Sequence, residues 1–168
     1  MVRETDPTKF YTKGEEIFNA VSHGMGSLLS VVGTSVLVTI AALFSTPRNA
    51  VICLVYGLSL VVLYTMSTLY HSFPQRGVKR FFRILDHSTI YLLIAGSYTP
   101  FTLILLGGST RGPLVCGIIW AAALLGVVLN AIDLQRFEKI SMVLYVAMGW
   151  AAVWVLGDIL DALAPAGF

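Results

Sequence analysis

Five stretches of this chain carry no Asp, Glu, Lys or Arg: Ile17 to Pro47, Asn49 to Gln75, His87 to Thr110, Gly112 to Ile132 and Ile140 to Gly157. Each matches or approaches the roughly 20 apolar residues that cross a bilayer as one helix. A surface helix of a soluble core shows a polar stripe at helical spacing, and these stretches do not. Composition agrees. Apolar residues are 57% and charged residues 12%, against about half and about a quarter in soluble domains. The expected fold is all-α: a polytopic membrane helix bundle forming a single transmembrane domain over residues 1–168. Its helices are expected near 21–43, 50–72, 86–107, 112–132 and 140–160. The first is too long for a cleaved signal peptide, and its flank mixes Glu15 and Glu16 with Lys13. Cys53 and Cys116 make no disulfide framework and read as free core thiols.

The basic residues alternate from loop to loop. Arg3, Lys9 and Lys13 precede the first helix, Arg76, Lys79, Arg80 and Arg83 follow the second, and Arg136 and Lys139 follow the fourth. The opposite side has only Arg48 and Arg111. The positive-inside rule puts the more basic side in the cytoplasm. The N-terminus is then cytoplasmic. The C-terminus of this chain is extracytoplasmic, where Asp158 and Asp161 read as unneutralised.

This orientation gathers polar residues at one membrane face. The run from Ser67 to Ser88 ends one apolar segment with His71 and opens the next with Asp86 and His87, across a short basic loop. Ionisable groups at that depth are costly and are candidates for function. Ser67 and His71 are four apart and share a helix face, which Tyr64 extends. They read either as an imidazole ligand with a hydroxyl beside it, or as an interfacial histidine solvated by headgroups. Asp86 reads either as a helix cap paired with Arg83 or Arg80, or as a base acting on an activated water. His87 points about 100° away from Asp86 on a helix, so at most one of the two reaches a common point. Glu16, Asn19 and His23 follow helical spacing before the first span. Ser22, Gly26, Ser30 and Thr34 form a small-residue ridge that suits close helix packing. Gly96, Ser97 and Pro100 suggest a close contact and a kink, with Ser97 and Thr99 satisfying freed carbonyls. Trp120, Trp150 and Trp154 fall within helices and read as core or lipid packing.

Four of these blocks together resemble the hemolysin III family: Glu16 to Gly24, Ser67 to His71, Leu85 to Ser88, and Ala95 to Phe101. That family belongs with the progestin and adipoQ receptors, which include the adiponectin receptors. The resemblance runs in order along essentially the whole chain. It implies seven membrane helices and a cytoplasmic N-terminus. It also implies a zinc ion in the cytoplasmic leaflet, with His71 as a ligand. Ser67 and Asp86 would stand around the zinc-bound water, so both are candidate catalytic residues and Asp86 belongs to the metal site. The other two ligands are a His-x-x-x-His pair in the last family helix.

The chain departs from this pattern. It ends at Phe168 after the fifth expected helix and holds no His-x-x-x-His. A catalytic zinc takes three protein ligands, of which this sequence supplies one. The chain then reads as a fragment or truncated frame, as a five-helix variant using His23 or His87 in substitution, or as a form that has lost the metal. Without two helices, poor folding or homo-oligomers are the expected consequences. Four functions follow: a zinc-dependent hydrolase of a lipid amide or ester, a pore-forming cytolysin, a non-catalytic receptor-like protein of membrane homeostasis, and, more weakly, haem ligation by His71 and His87. Membrane lipids are the expected partners. Nothing in the sequence supports nucleic-acid binding.

Overall fold

A computed structural model describes the backbone of residues 11–167 and the side chains as far as residue 164. Arg3 and Lys9, used in the charge count, lie outside the described residues. The order is α1 (Lys13–Phe44), α2 (Pro47–Ser72), α3 (Arg76–Pro100) with a π-helical turn at Phe101–Leu105, α4 (Arg111–Asp133), α5 (Glu138–Trp154) and α6 (Leu156–Gly167). The described residues contain no strand.

Local chemistry sets the helix ends. Thr12 and Glu15 form a capping box: the Glu15 amide donates to Thr12 Oγ1 at 3.3 Å and the Thr12 amide to Glu15 Oε2 at 2.6 Å. Thr46 caps α2 through the Asn49 amide at 3.2 Å, and Pro47 occupies the first turn, where its missing N–H costs nothing. Four helices are individually long and apolar enough to cross a membrane. The pair α5 and α6, bent by 42°, makes a fifth candidate when the two are taken as one span. The break falls at Val155, whose amide turns back tightly to the Ala152 carbonyl at 3.2 Å, just before Gly157.

The main departure from expectation is at α3, which starts at Arg76 and not near residue 86. The basic segment expected as a loop is the first turns of this helix. Pro74 and Gln75 end the connection, and Arg76, Lys79, Arg80, Arg83 and His87 then recur at helical spacing along one stripe. Phe82, off that stripe, stacks on Phe73 with ring centroids 5.3 Å apart. Asp86 is therefore inside a helix, and the reading of it as a cap does not hold.

Packing between successive helices relies on glycine. A Cβ on Gly26 would meet the Tyr64 ring, one on Gly57 would meet Thr34, one on Gly96 would meet Ser59, and one on Gly126 would meet Tyr91. Gly26, Ser30 and Thr34 thus form the expected ridge against α2, whereas Ser22 is exposed and donates to the Asn19 carbonyl at 3.2 Å. Ser97 and Thr99 donate to the Ile94 and Ala95 carbonyls at 2.8 Å each, and the π turn follows Pro100 directly. The buried core is Tyr91, Ala95, Ile119, Ala123 and Met148, from α3, α4 and α5. Cys53 and Cys116 are free and buried. Trp120 donates to Thr99 Oγ1 at 3.1 Å, while Trp150 and Trp154 are exposed. Asp158, read as unneutralised, lies 3.4 Å from Arg111, an exposed pair of small energetic weight.

Candidate functional site

The helices α1 and α2 run antiparallel, and their polar residues meet in sequence along the shared face. Glu16 meets His71, His23 meets Ser67, and Ser27 meets Thr65. The first contact is 2.8 Å, from His71 Nδ1 to Glu16 Oε2. The other oxygen, Glu16 Oε1, lies 2.7 Å from Lys79 Nζ on α3. Lys79 also donates to the Tyr70 carbonyl at 3.3 Å and sits 4.9 Å from the centroid of the Tyr70 ring. One carboxylate thus ties three helices together at one end of the bundle. His71 is nearly enclosed, its side chain 6% exposed.

The second contact is 2.6 Å, from His23 Nδ1 to Ser67 Oγ. The His23 and His71 rings stand edge to face with centroids 6.1 Å apart. Tyr64 packs on His23 at 5.7 Å and Tyr11 on His71 at 5.3 Å. Both imidazoles are therefore held by a polar partner at Nδ1 and by aromatic edges around the ring.

Asp86 stands on the neighbouring helix, with its side chain 17% exposed. His87 turns to its own backbone, with Nδ1 2.9 Å from the Arg83 carbonyl and 3.7 Å from Asp86 Oδ2. A second polar cluster lies beyond it. Tyr145 donates to the His87 carbonyl at 2.7 Å, and Ser141 donates to Asn130 Oδ1 at 2.8 Å. Ser88 Oγ, Tyr91 OH and Asn130 Nδ2 are buried without a partner. Such groups are costly to enclose and uncommon in native interiors.

Sequence reasoning picked out Ser67, His71 and Asp86, and the structure sets Ser67 and His71 on one face against α1. It missed what holds them: Glu16, Lys79 and the direct bond from His23 to Ser67. Glu16 and His23 on α1, like Ser67 and His71 on α2, are spaced to share one helix face, so two polar faces meeting antiparallel was the available signal. The zinc reading meets a limit. Among the described residues no three His, Cys, Asp or Glu side chains are placed to hold a metal ion. One histidine has the support a metal ligand takes, a carboxylate on its other nitrogen. The described set alone does not fit a catalytic zinc.

Membrane-length helices that share a carboxylate, a lysine, a hydroxyl and two imidazoles at one end define a multi-pass membrane protein with a polar site at one face. The chain matches the family described as Haemolysin-III related over residues 11–167, and it belongs to that family. Hemolysin-3 of Bacillus cereus is 42% identical over 157 residues, covering 92% of this chain and 70% of that protein. The hemolysin-3 homolog of Bacillus subtilis (strain 168) is 39% identical over 158 residues, covering 94% and 74%. More distantly, the monocyte to macrophage differentiation factor of Homo sapiens is 25% identical over 150 residues, covering 84% of this chain and 60% of that protein. No solved structure matches the chain.

Proposed function

We propose that this haemolysin III protein acts in lipid or membrane homeostasis, with Glu16, Ser67, His71 and Asp86 as its working face. The observation that carries this reading is a nearly enclosed imidazole, His71, bonded at Nδ1 to a carboxylate and flanked by a second histidine and a hydroxyl. Hydroxyl, imidazole and carboxylate are the groups that move protons during hydrolysis of an ester or amide. A groove of about 390 Å³ between α1 and α2 supports a lipid substrate. It is lined by Gly26, Gly33, Leu37, Leu60 and Tyr64, so it begins beside His23 and offers mostly apolar walls. An acyl chain in the groove would bring its carbonyl end toward the histidines. By the rule for basic residues, this end faces the cytoplasm.

In the zinc-dependent version of this reading, His71 is one ligand. The test is metal content together with lipid turnover. Protein purified from membranes should hold zinc and release fatty acid from lipid amides or esters, and His71→Ala should lose both. Protein without bound metal and without turnover, indistinguishable from His71→Ala, sinks the enzyme reading and leaves a receptor-like membrane protein.

The names of the bacterial relatives, hemolysin-3 and its homolog, support a second reading, cytolysis. A pore wants a polar stripe along the length of several helices. The exposed face of α1 is instead Val21, Met25, Leu28, Val32, Val36 and Leu43. Dye release from liposomes separates the readings. Leakage that rises with protein concentration favours the pore, and its absence removes it.

A further inference from the structure

We propose that Glu16 is the positioning residue of the site: it fixes His71 as the Nδ1–H tautomer, so that Nε2 carries the lone pair. An ionised carboxylate only accepts hydrogen bonds. Glu16 Oε2 lies 2.8 Å from His71 Nδ1, so an ionised Glu16 requires the proton to be on Nδ1. The ionised form is favoured by the Lys79 ammonium, 2.7 Å from the other oxygen. Lys79 cannot easily leave, because it also bonds the Tyr70 carbonyl and lies over the Tyr70 ring. Each oxygen of Glu16 therefore has its own partner, on a different helix, and neither partner can be exchanged for the other by rotating the carboxylate.

His23 is held differently. Its Nδ1 meets the Ser67 hydroxyl, which donates or accepts equally well, so that contact sets no tautomer. Of the two imidazoles 6.1 Å apart, only His71 has its lone pair assigned by its partner. A neutral imidazole with a carboxylate on one nitrogen is more basic at the other and held in one orientation. This deepens the proposed function and rests on it for why His71 matters. The tautomer itself is readable without any activity.

The test is nitrogen NMR of histidine-labelled protein in lipid nanodiscs, with the His71 signals assigned by their loss in His71→Gln. The wild type should show Nδ1 in the protonated range and Nε2 unprotonated, in the lone-pair range or, where zinc is bound, in the metal-bound range. Glu16→Leu should move the two signals toward each other or exchange them, as the ring reverts to the Nε2–H form. Lys79→Met leaves the carboxylate in place, so Nδ1 should stay protonated. Should Glu16→Leu fail to fold, Glu16→Gln replaces it. Its neutral amide, able to donate as well as accept, should give a mixture of tautomers. A wild-type His71 that is Nε2–H, or doubly protonated at neutral pH, overturns the inference. So does a tautomer that ignores the Glu16 substitutions. Zinc content and lipid turnover are measured on the same samples. Their absence with the tautomer as expected would overturn the functional reading alone.

Discussion

Ser67 shows how one residue can belong to two arrangements. It stands four before His71 on α2, yet its hydroxyl is committed across the helix interface to His23. Asp86, from a different helix, has no such commitment to α1. These positions predict different behaviour on substitution. Asp86→Asn keeps the size of the side chain and removes the charge, so it should leave the fold intact. If the face works as proposed, lipid hydrolysis should fall by about 10²-fold or more, the usual weight of a general acid or base. Ser67→Ala breaks an interhelical bond, so it should lower both turnover and thermal stability, the latter by about 1 kcal/mol. Turnover by released fatty acid and melting by tryptophan fluorescence check the pair. Equal effects on both measurements at both positions would reduce the site to a packing feature.

The helices divide the sequence signals into those that survive folding and those that change meaning. The charge-free runs fall inside α1, α2 and α4, because backbone desolvation in a bilayer forces such runs to be helical, but α1 begins at Lys13 and not near residue 21. Charge misplaced the start of α3: the basic residues mark where the membrane ends, and the helix continues past that point. The bend between α5 and α6 was not legible, since Trp154 to Leu156 is as apolar as the rest of its run. The site was half legible for a related reason. Each polar residue could be read on its own helix, but pairing Glu16 with His71 requires the register between helices. Glycine sets that register, and α4 provides a test. Gly126→Ala would drive its methyl into the Tyr91 ring, whereas Gly117 on the same helix has open space. The first should cost about 1–3 kcal/mol from overpacking. The second should be neutral or stabilising by up to about 1 kcal/mol, the helix-propensity difference between the residues. Thermal unfolding in detergent reads both. Equal shifts would show that the contact between Tyr91 and Gly126 does not hold α3 to α4.

At the scale of the whole molecule, the two ends of the bundle differ in kind. One end carries Glu16, Lys79, Arg80 and Arg136 together with the histidines, and the other carries Arg48, Arg111 and Asp158. Among the described residues that end holds seven lysines and arginines against five carboxylates, so a positive excess remains beside the Glu16–Lys79 pair. Anionic lipid on the inner leaflet favours such an end by about 1 kcal/mol per lysine or arginine near the surface. The proposed orientation follows from that excess, and it decides from which leaflet a lipid would reach His71. Gly77 and Gly108 offer a clean measurement. Both are exposed, a side chain at either meets nothing within 4 Å, and they lie at opposite ends of α3 and its π extension. With the buried thiols Cys53 and Cys116 replaced by alanine, Gly108→Cys should react with a membrane-impermeant maleimide in intact cells. Gly77→Cys should react only after the membrane is opened. The reverse pattern would turn the site to the outer leaflet. Labelling of both positions in intact cells would mean that α3 does not cross the membrane.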